Sequence, residues 1–400
     1  MVLDIAHVTF SSAGGAGTVA SRLADVQRET GHRAWVHSLI DNSLWANPWQ
    51  RPLHTMAATI DHYAVRHPDN PSPVSLFRDG VTSRLPRGVR DADVIHVHWP
   101  HGIVGLGALA ALSQTTRVVW TLHDMNPFTG VCHYSVDCGC QSSSSGDCQG
   151  VRPLFKAAAR KYRARKQEFV AAHPAIHYVS PSAWLAHEAA TSHVMGGLDI
   201  PVIYNPLPVS LPTVNQVLAS AAADNQTEGP VFVASASELS DPMKNIGLIV
   251  SAFEKAFPAD SSAQLLVIGR GAIPTRHPRV FFLGHLSHDK LLQTLSRADW
   301  LVVASLAENQ PLAISEAQAM GVSLLAADRT GLPEHVDIDP GGALFQTEAD
   351  LVELFTTRER SRRHHTERRT LMSAARKKFD PELTAVRYEE LYRAMPQVLN

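Results

Sequence analysis

Residues Ser305 to Gly321 read SLAENQPLAISEAQAMG and follow a short apolar run, Trp300 to Ala304. The Val302-Val303 pair in that run favours a buried strand. Pro311 suits a first helical position, because its fixed φ fits the turn and the N–H it lacks would have no intrahelical partner there. The sequence therefore predicts a helix from Pro311 to Met320 that stops at Gly321. A strand running into a helix brings unpaired backbone N–H groups, and the positive end of the helix dipole, to the carboxyl end of the strand. Pro311 and Leu312 stand at that start, where open α/β sheets bind nucleotide phosphates. Glu308 falls in the loop before the helix and Glu316 more than one turn inside it, so one carboxylate can meet a ligand at the mouth and the other a second group behind the phosphates. The bare spacing also fits two glutamates on a solvated helix face, and the rest of the chain has to decide.

Glu308-x7-Glu316 on a strand-loop-helix resembles the EX7E signature of the retaining GT-B glycosyltransferases of the GT4 family. The resemblance implies an α/β fold of two Rossmann-like, doubly wound parallel-sheet domains facing across a cleft. It also implies that Glu316 accepts hydrogen bonds from the ribose of a nucleotide sugar and that Glu308 approaches hydroxyls of the transferred sugar.

Composition agrees with an ordinary globular chain: 400 residues, 44% hydrophobic and 18% charged, enough for two domains of about 150 to 200 residues each. The formal charge of −2 gives no global attraction for nucleic acid, which is not expected as a partner. No apolar run approaches the roughly 20 residues of a spanning helix. Met1-Val-Leu-Asp-Ile5 lacks the basic start and long apolar centre of a signal peptide, so the expectation is a cytoplasmic protein, for which the Asn225-Gln-Thr227 sequon has no meaning.

In the N-terminal half, Val2 to Phe10 reads as a strand, and Ser11-Ser-Ala-Gly-Gly-Ala-Gly17 leads into a helical pattern at Val19, Leu23 and Val26 that ends near Gly31. Small residues there let a ligand approach the backbone, and a tight turn without a ligand is the other reading. Many GT4 enzymes are similar, with a Gly-Gly pair facing the donor diphosphate or the acceptor; Gly14 and Gly15 match. Trp35 to Leu39 reads as a second strand, and Asp41 to Pro86 as an irregular insertion. Val94 to His98 and Val118 to Leu122 read as later parallel strands, with a buried helix within Gly102 to Leu112. Thr121-Leu-His123 resembles the family's Thr-x-His segment, which places its histidine at the reacting sugar. With 21 histidines in the chain, a structural role for His123 is the other reading.

The stretch HDMNPFTGVCHYS, His123 to Ser135, resembles a GT4 subgroup of polysaccharide and glycoconjugate assembly that carries an HD-x-x-PFTG-x-CH segment. All four cysteines, Cys132, Cys138, Cys140 and Cys148, fall within seventeen residues. In a reducing compartment such clustering favours thiolate ligation of a structural zinc over disulfides, but no C-x2-C pair is present and the spacing departs from common zinc motifs, so a structural zinc on these four and plain reduced thiols or disulfides stand as equal readings. Ser142 to Gly146 reads as a mobile loop. Arg152 to Phe169 sets seven basic residues against one acidic, with Phe155, Tyr162 and Phe169 on one helical face. A charged outer face over a core stripe is one reading, and peripheral contact with the anionic inner face of the plasma membrane is the other. A helix from Ser182 to Ala190 with a serine cap lies between strands at Ala175–Ser180 and Val202–Asn205.

The expected division is 1–206, a linker at 207–229, 230–380, and a last helix in 381–400 that resembles the GT-B tail returning to the first domain; the resemblance implies that 1–206 is the acceptor-side domain and 230–380 the nucleotide-sugar domain. Strands at Val231–Ala236, Gln264–Ile268 and Val280–Leu283 alternate with a helix at Asn245–Phe257. Lys244 precedes that helix and resembles the lysine of the family's R-x(4–6)-K-G segment, which neutralises the donor diphosphate. The expected arginine is absent, Glu238 lies in that region, and Asn245 replaces the glycine; Arg270 is the candidate replacement charge. Leu283-Gly-His285 and Gly331-Leu-Pro-Glu334 resemble the family's F-x-G and G-x-x-E segments, with plain turn chemistry as the alternative. Arg358 to Lys378 holds nine basic residues against two acidic and reads as a solvated face, or as a binder of anionic lipid or glycan.

The resemblance covers nearly the whole chain and implies sugar transfer from a nucleotide-diphosphate sugar, UDP-sugar favoured, to a glycan, lipid-linked or small-molecule acceptor. His123, Glu308 and Lys244 are the catalytic candidates, and no cofactor or DxD-type metal is needed. A sugar-nucleotide-binding protein without transfer activity, and an inverting GT-B or epimerase-type enzyme, are the alternatives.

Overall fold

A computed structural model describes residues 1–38, 40–41, 50–76, 85–135, 138–143, 147–222, 229–359 and 365–396. Leu39, residues 144–146 of the Ser142–Gly146 loop, the Asn225-Gln-Thr227 sequon, and 360–364 of the basic C-terminal stretch lie outside them. The chain divides into two compact units, one formed by Met1–Pro206 with Pro381–Asn400 and the other by Leu207–Asp380.

The first unit runs β1 (Asp4–Thr9), α1 (Gly14–Glu29), β2 (Arg33–Ser38), α2 (Gln50–Ile60), α3 (Arg87–Arg90), β3 (Val94–Trp99), α4 (Leu106–Leu112), β4 (Arg117–Thr121), α5 (Lys156–Ala172), β5 (Ile176–Val179) and α6 (Ala183–Ala190). Its parallel strands lie in the order β2-β1-β3-β4-β5. Strand parity puts Ala6, Val8, Ile95, Val97, Val118 and Trp120 on one face, where they join a continuous apolar core. The opposite face carries Ile5, Val94 and Val119 and then, toward the carboxyl ends, His7, His96, His98 and Thr121. Ser182 caps α6 by accepting a bond from the Leu185 N–H, at 3.1 Å, as the sequence predicts.

The second unit runs α7 (Leu211–Ala222), β6 (Val231–Glu238), α8 (Ile246–Ala256), β7 (Gln264–Arg270), β8 (Val280–Gly284), α9 (His288–Ser296), β9 (Trp300–Val303), α10 (Leu312–Ala319), β10 (Ser323–Ala327), α11 (Pro333–Val336), β11 (Ala343–Phe345), α12 (Glu348–Glu359) and α13 (His365–Lys378). Its six strands, also parallel, have the order β11-β10-β9-β6-β7-β8, that of a Rossmann sheet. Phe232 on β6 centres its core, stacked 5.2 Å from Trp300 and edge-on 4.8 Å from Phe355, with Phe253 and Phe257 alongside. The last helix, α14 (Pro381–Ala394), packs Tyr388 and Tyr392 with Leu3, Ile5 and Leu23 of the first unit.

Several expectations need correction. Pro311 is not the first residue of α10 but its cap, with φ −72° and ψ 126°, so the helix starts at Leu312. The 41–86 stretch is not irregular throughout: α2 and a π turn over Asp61–Val65 occupy its middle. Val202 makes an isolated bridge to Ser180 rather than starting a strand.

The basic α5 is not uniformly solvated. Phe155 and Tyr162 pack on the cysteine-containing core cluster, and Arg163 and Lys166 are themselves buried. Arg163 donates to the Cys140 and Ser143 carbonyls at 3.1 and 2.6 Å. Lys166 donates to the carbonyls of Asn126, Thr129 and Gly130 at 2.5, 3.2 and 3.3 Å, and to Asn126 Oδ1 at 2.9 Å. In the C-terminal basic stretch, Arg376 likewise donates to the Ala319 carbonyl and Lys378 to the Glu334 carbonyl, so neither serves a free solvated face.

Truncating Phe232 removes a ring that touches four other aromatics. Phe232→Ala should destabilise the Leu207–Asp380 unit by about 3–5 kcal/mol, read as a lower denaturant midpoint; a change below about 1 kcal/mol would contradict this packing.

Candidate active site

In a doubly wound sheet, the strands on either side of the reversal in order send their connections to opposite faces and open a crevice at their carboxyl ends. In the second unit the reversal lies between β6 and β9. Lys244 follows β6 and Glu308 follows β9, and Lys244 Nζ lies 2.5 Å from Glu308 Oε1. The two residues therefore meet at the switch point although 64 positions separate them.

Three loops brace this pair. The Leu306 N–H donates to the Met243 carbonyl at 2.8 Å, tying the Glu308 loop to the Lys244 loop. From the other side, the Glu308 N–H donates to Thr330 Oγ1 and the Gly331 N–H to the Glu308 carbonyl, both at 2.9 Å. A Cβ on Gly331 would stand 2.0 Å from the Asn309 carbonyl oxygen, so the G-x-x-E glycine is required by contact with the Glu308 loop. Asn245 caps α8 at φ 51°, a left-handed conformation that asparagine tolerates better than most residues. This accounts for asparagine where the family pattern has glycine.

Glu316 and Glu308 are both buried, which removes the solvated-helix reading. Glu316 Oε1 lies 2.6 Å from Nε2 of the half-exposed His288 on α9, a partner the sequence did not indicate. That hydrogen bond raises the His288 pKa above its ordinary value. Arg270 stands apart from the Lys244–Glu308 pair in its contacts: its Nε donates to Glu238 at 2.5 Å, across the β6–β7 register.

In the first unit the order reverses between β1 and β3, and a cleft of about 560 Å³ opens there. Gly14, Gly15, Trp99, His123 and His133 are among its lining residues. A Cβ on Gly14 or Gly15 would meet nothing within 4 Å, but Gly14 stands at φ +77°, a left-handed conformation that favours glycine, and a Cβ on Gly17 would lie 2.1 Å from the Ser11 carbonyl; the turn therefore demands Gly14 by its backbone and Gly17 by close contact. Asp124 is held by His133 Nδ1 at 2.6 Å, Trp99 Nε1 at 3.0 Å and the Asn126 N–H at 2.9 Å. Burial opposes its ionisation, but the charge and hydrogen bond of His133 prevail and keep its carboxyl well below the usual carboxylate range.

Residues 13–211 match the family model "Glycosyltransferase Family 4", and residues 230–357 match "Glycosyl transferases group 1". The chain is a GT4-like glycosyltransferase of the GT-B fold. Among solved structures, the glycosyltransferase is similar to Anabaena HepE in complex with UDP and glucose, at 16% identity and a TM-score of 0.58, covering 98% of this chain and 100% of that one. It is also similar to sucrose-phosphate synthase from Thermosynechococcus elongatus, at 17% identity and 0.61, covering 97% and 98%. The catalytic domain of starch synthase IV from Arabidopsis thaliana, bound to ADP and acarbose, aligns at 15% identity and 0.57, covering 98% and 99%. No curated protein sequence matches it.

The cysteines of the glycosyltransferase lie in a row within one apolar cluster. Cys132 and Cys148 sulfurs are 3.5 Å apart, and Ser135 Oγ is 2.9 Å from Cys138 and 3.4 Å from Cys140. Among the described residues, the sets of three potential ligand atoms within 4.8 Å of one another are His7, His96, His98 and His101, Asp124, His133. No cysteine belongs to either. Every ring nitrogen of His7, His96 and His98 already has a hydrogen-bond partner.

Burial lowers the pKa of His7 and of His123 from 6.5 to about 4, and that of His96 and His98 well below 6.5, with nearby imidazoles adding to the effect. Below pH 6.5 the unfolded chain binds protons that these folded imidazoles refuse. Their contribution to stability is therefore complete above that pH and is lost progressively as pH falls below it. His288 has the opposite sign, stabilising below pH 6.5 and less so as pH rises, but its half-exposed pair contributes little. The urea midpoint should thus fall between about pH 7 and pH 5; a midpoint that rises over that interval would contradict the buried neutral histidines.

Proposed function

We propose that this glycosyltransferase transfers a sugar, with retention of anomeric configuration, from a UDP-sugar to a hydroxyl of a glycan, lipid-linked or small-molecule acceptor. The observation that carries the reading is the meeting of Lys244 and Glu308 at the switch point of the Rossmann sheet, with the buried Glu316 behind them on α10. In this reading Lys244 and the α10 start, Pro311 and Leu312, hold the diphosphate, and Glu308 shares the ammonium while meeting sugar hydroxyls. Glu316 takes the ribose. Fixed donors at a developing diphosphate charge supply the main lowering of the barrier, and orientation of the acceptor hydroxyl beside His123 supplies the rest. The likeness to HepE in complex with UDP-glucose supports uracil as the base of the donor.

The likeness of His123–Ser135 to the subgroup segment supports an acceptor in polysaccharide or glycoconjugate assembly. Contact with an anionic membrane would use the exposed outer side of α5, at Lys161 and Arg165. Failure to sediment with vesicles containing anionic lipid would remove that part. The lone second reading, binding without transfer, is favoured by the pairing of Arg270 with Glu238, which leaves the family's arginine unreplaced.

UDP at about 100 times its Kd should stabilise the protein by about 2.7 kcal/mol, read as a raised melting temperature, with GDP and ADP weaker. Glu316→Ala should abolish both that shift and sugar transfer while leaving the circular dichroism spectrum intact. Unchanged turnover in the variant would refute the site, and a product of inverted configuration would refute the stereochemistry.

We also propose a structural zinc on Cys132, Cys138, Cys140 and Cys148, supported by their shared cluster and requiring the row of sulfurs to draw together. Elemental analysis should find one zinc per chain, lost in Cys148→Ser; purified protein without zinc would sink this.

A further inference from the structure

His123 begins a continuous run of buried hydrogen bonds. Its Nε2 lies 3.1 Å from His98 Nδ1, His98 Nε2 lies 3.0 Å from His7 Nδ1, and His7 Nε2 lies 2.8 Å from Gln27 Oε1 on α1. Beyond Gln27 the run continues on α14: Gln27 Nε2 to Tyr392 Oη at 3.4 Å, and Tyr392 Oη to His96 Nδ1 at 2.7 Å. It closes from His96 Nε2 to Thr121 Oγ1 at 2.7 Å and from Thr121 to Tyr388 at 2.8 Å. His7, His96, His98, Gln27 and Tyr392 are almost fully buried.

A neutral imidazole has one N–H and one lone pair. In a row of such rings, the direction of one hydrogen bond dictates the next, so the tautomers change together or not at all. Gln27 is the member whose two ends differ chemically, a carbonyl toward His7 and an NH₂ toward Tyr392. With the carbonyl as acceptor, His7 carries its proton on Nε2. His98 must then donate from Nε2 to His7 Nδ1, and His123 from Nε2 to His98 Nδ1. On the other arm, Tyr392 accepts from the amide and donates to His96 Nδ1, which puts the His96 proton on Nε2, toward Thr121.

We propose that Gln27, acting through His7 and His98, is a positioning residue that holds His123 in its neutral Nε2–H tautomer, with Nδ1 as an acceptor. His123 can then engage a group that donates a hydrogen, such as a sugar or acceptor hydroxyl, and cannot give a proton from Nδ1 to a phosphate oxygen. Naming that hydroxyl rests on the glycosyl-transfer reading above; the tautomer does not.

The test is a long-range ¹⁵N–¹H correlation spectrum of the full chain with ¹⁵N-labelled histidine, the His123 signal being assigned from its loss in His123→Gln. In the wild-type protein near neutral pH, His7, His98 and His123 should all show the Nε2–H pattern. Gln27→Met should release all three into mixed tautomers, while His98→Phe should release His123 and leave His7 as Nε2–H. A purely structural role for Gln27 would leave the patterns unchanged in any folded variant and would overturn the proposal. So would a wild-type His123 protonated on Nδ1, a result that stands even if the variants do not fold. No substrate enters this measurement, so its outcome is separate from loss of the UDP shift in Glu316→Ala, which judges the donor site.

Discussion

The structure depends on one constraint of parallel sheets: where the strand order reverses, neighbouring connections leave for opposite faces, and the carboxyl ends there stay uncovered. Both units contain such a reversal, between β1 and β3 in one and between β6 and β9 in the other. Backbone and side-chain polar groups gather at these ends and cannot be left without partners. In the second unit they are answered by the Lys244–Glu308 pair, by the Met243 carbonyl and Thr330 hydroxyl accepting from the Glu308 loop, and by the Gly331 N–H donating to it. In the first they are answered by imidazoles, hydroxyls and one amide.

Both arrangements place ionisable groups under burial, with different results. Glu316 and Asp124 are buried carboxylates that keep an imidazole partner close. His7, His96 and His98 have no carboxylate among their hydrogen-bond partners, and burial drives them to the neutral form. A charge inside this face would cost far more than the hydrogen bonds could return. Neutral imidazoles linked to Gln27 satisfy every ring nitrogen without any net charge, and the tyrosines of α14 complete the set. The C-terminal helix is thus joined to the first sheet by polar bonds as well as by apolar packing.

Basic residues show how composition can mislead. Arg152 to Phe169 resembles a surface helix for anionic partners, yet Lys166 is enclosed by four oxygens of the Asn126–Gly130 turn and Arg163 reaches two carbonyls of the cysteine loop. Lysine and arginine stems pack well against apolar surface, so a cation can be retained inside wherever carbonyls converge on its head. Here they fix the loop that follows His123.

The sequence by itself determined the alternation of strand and helix and put Glu308 and Lys244 after strands and Glu316 inside the helix that follows, because periodicity and turn chemistry are local properties, while its resemblance to a known family implied the two-sheet architecture. It also carried an unread signal: histidines at 96 and 98, two apart on one strand, must share a face. Only the tertiary structure decided what those residues touch. That Lys244 meets Glu308, that Glu316 meets His288, that Arg270 is taken by Glu238, and that Gly331 and Gly17 are required by close backbone contact all depend on contacts between segments distant in sequence or on the path of a turn. Pairing across long separations is set by strand order and register, which no single segment encodes, and so the chemistry of the site became definite only when the sheets were assembled.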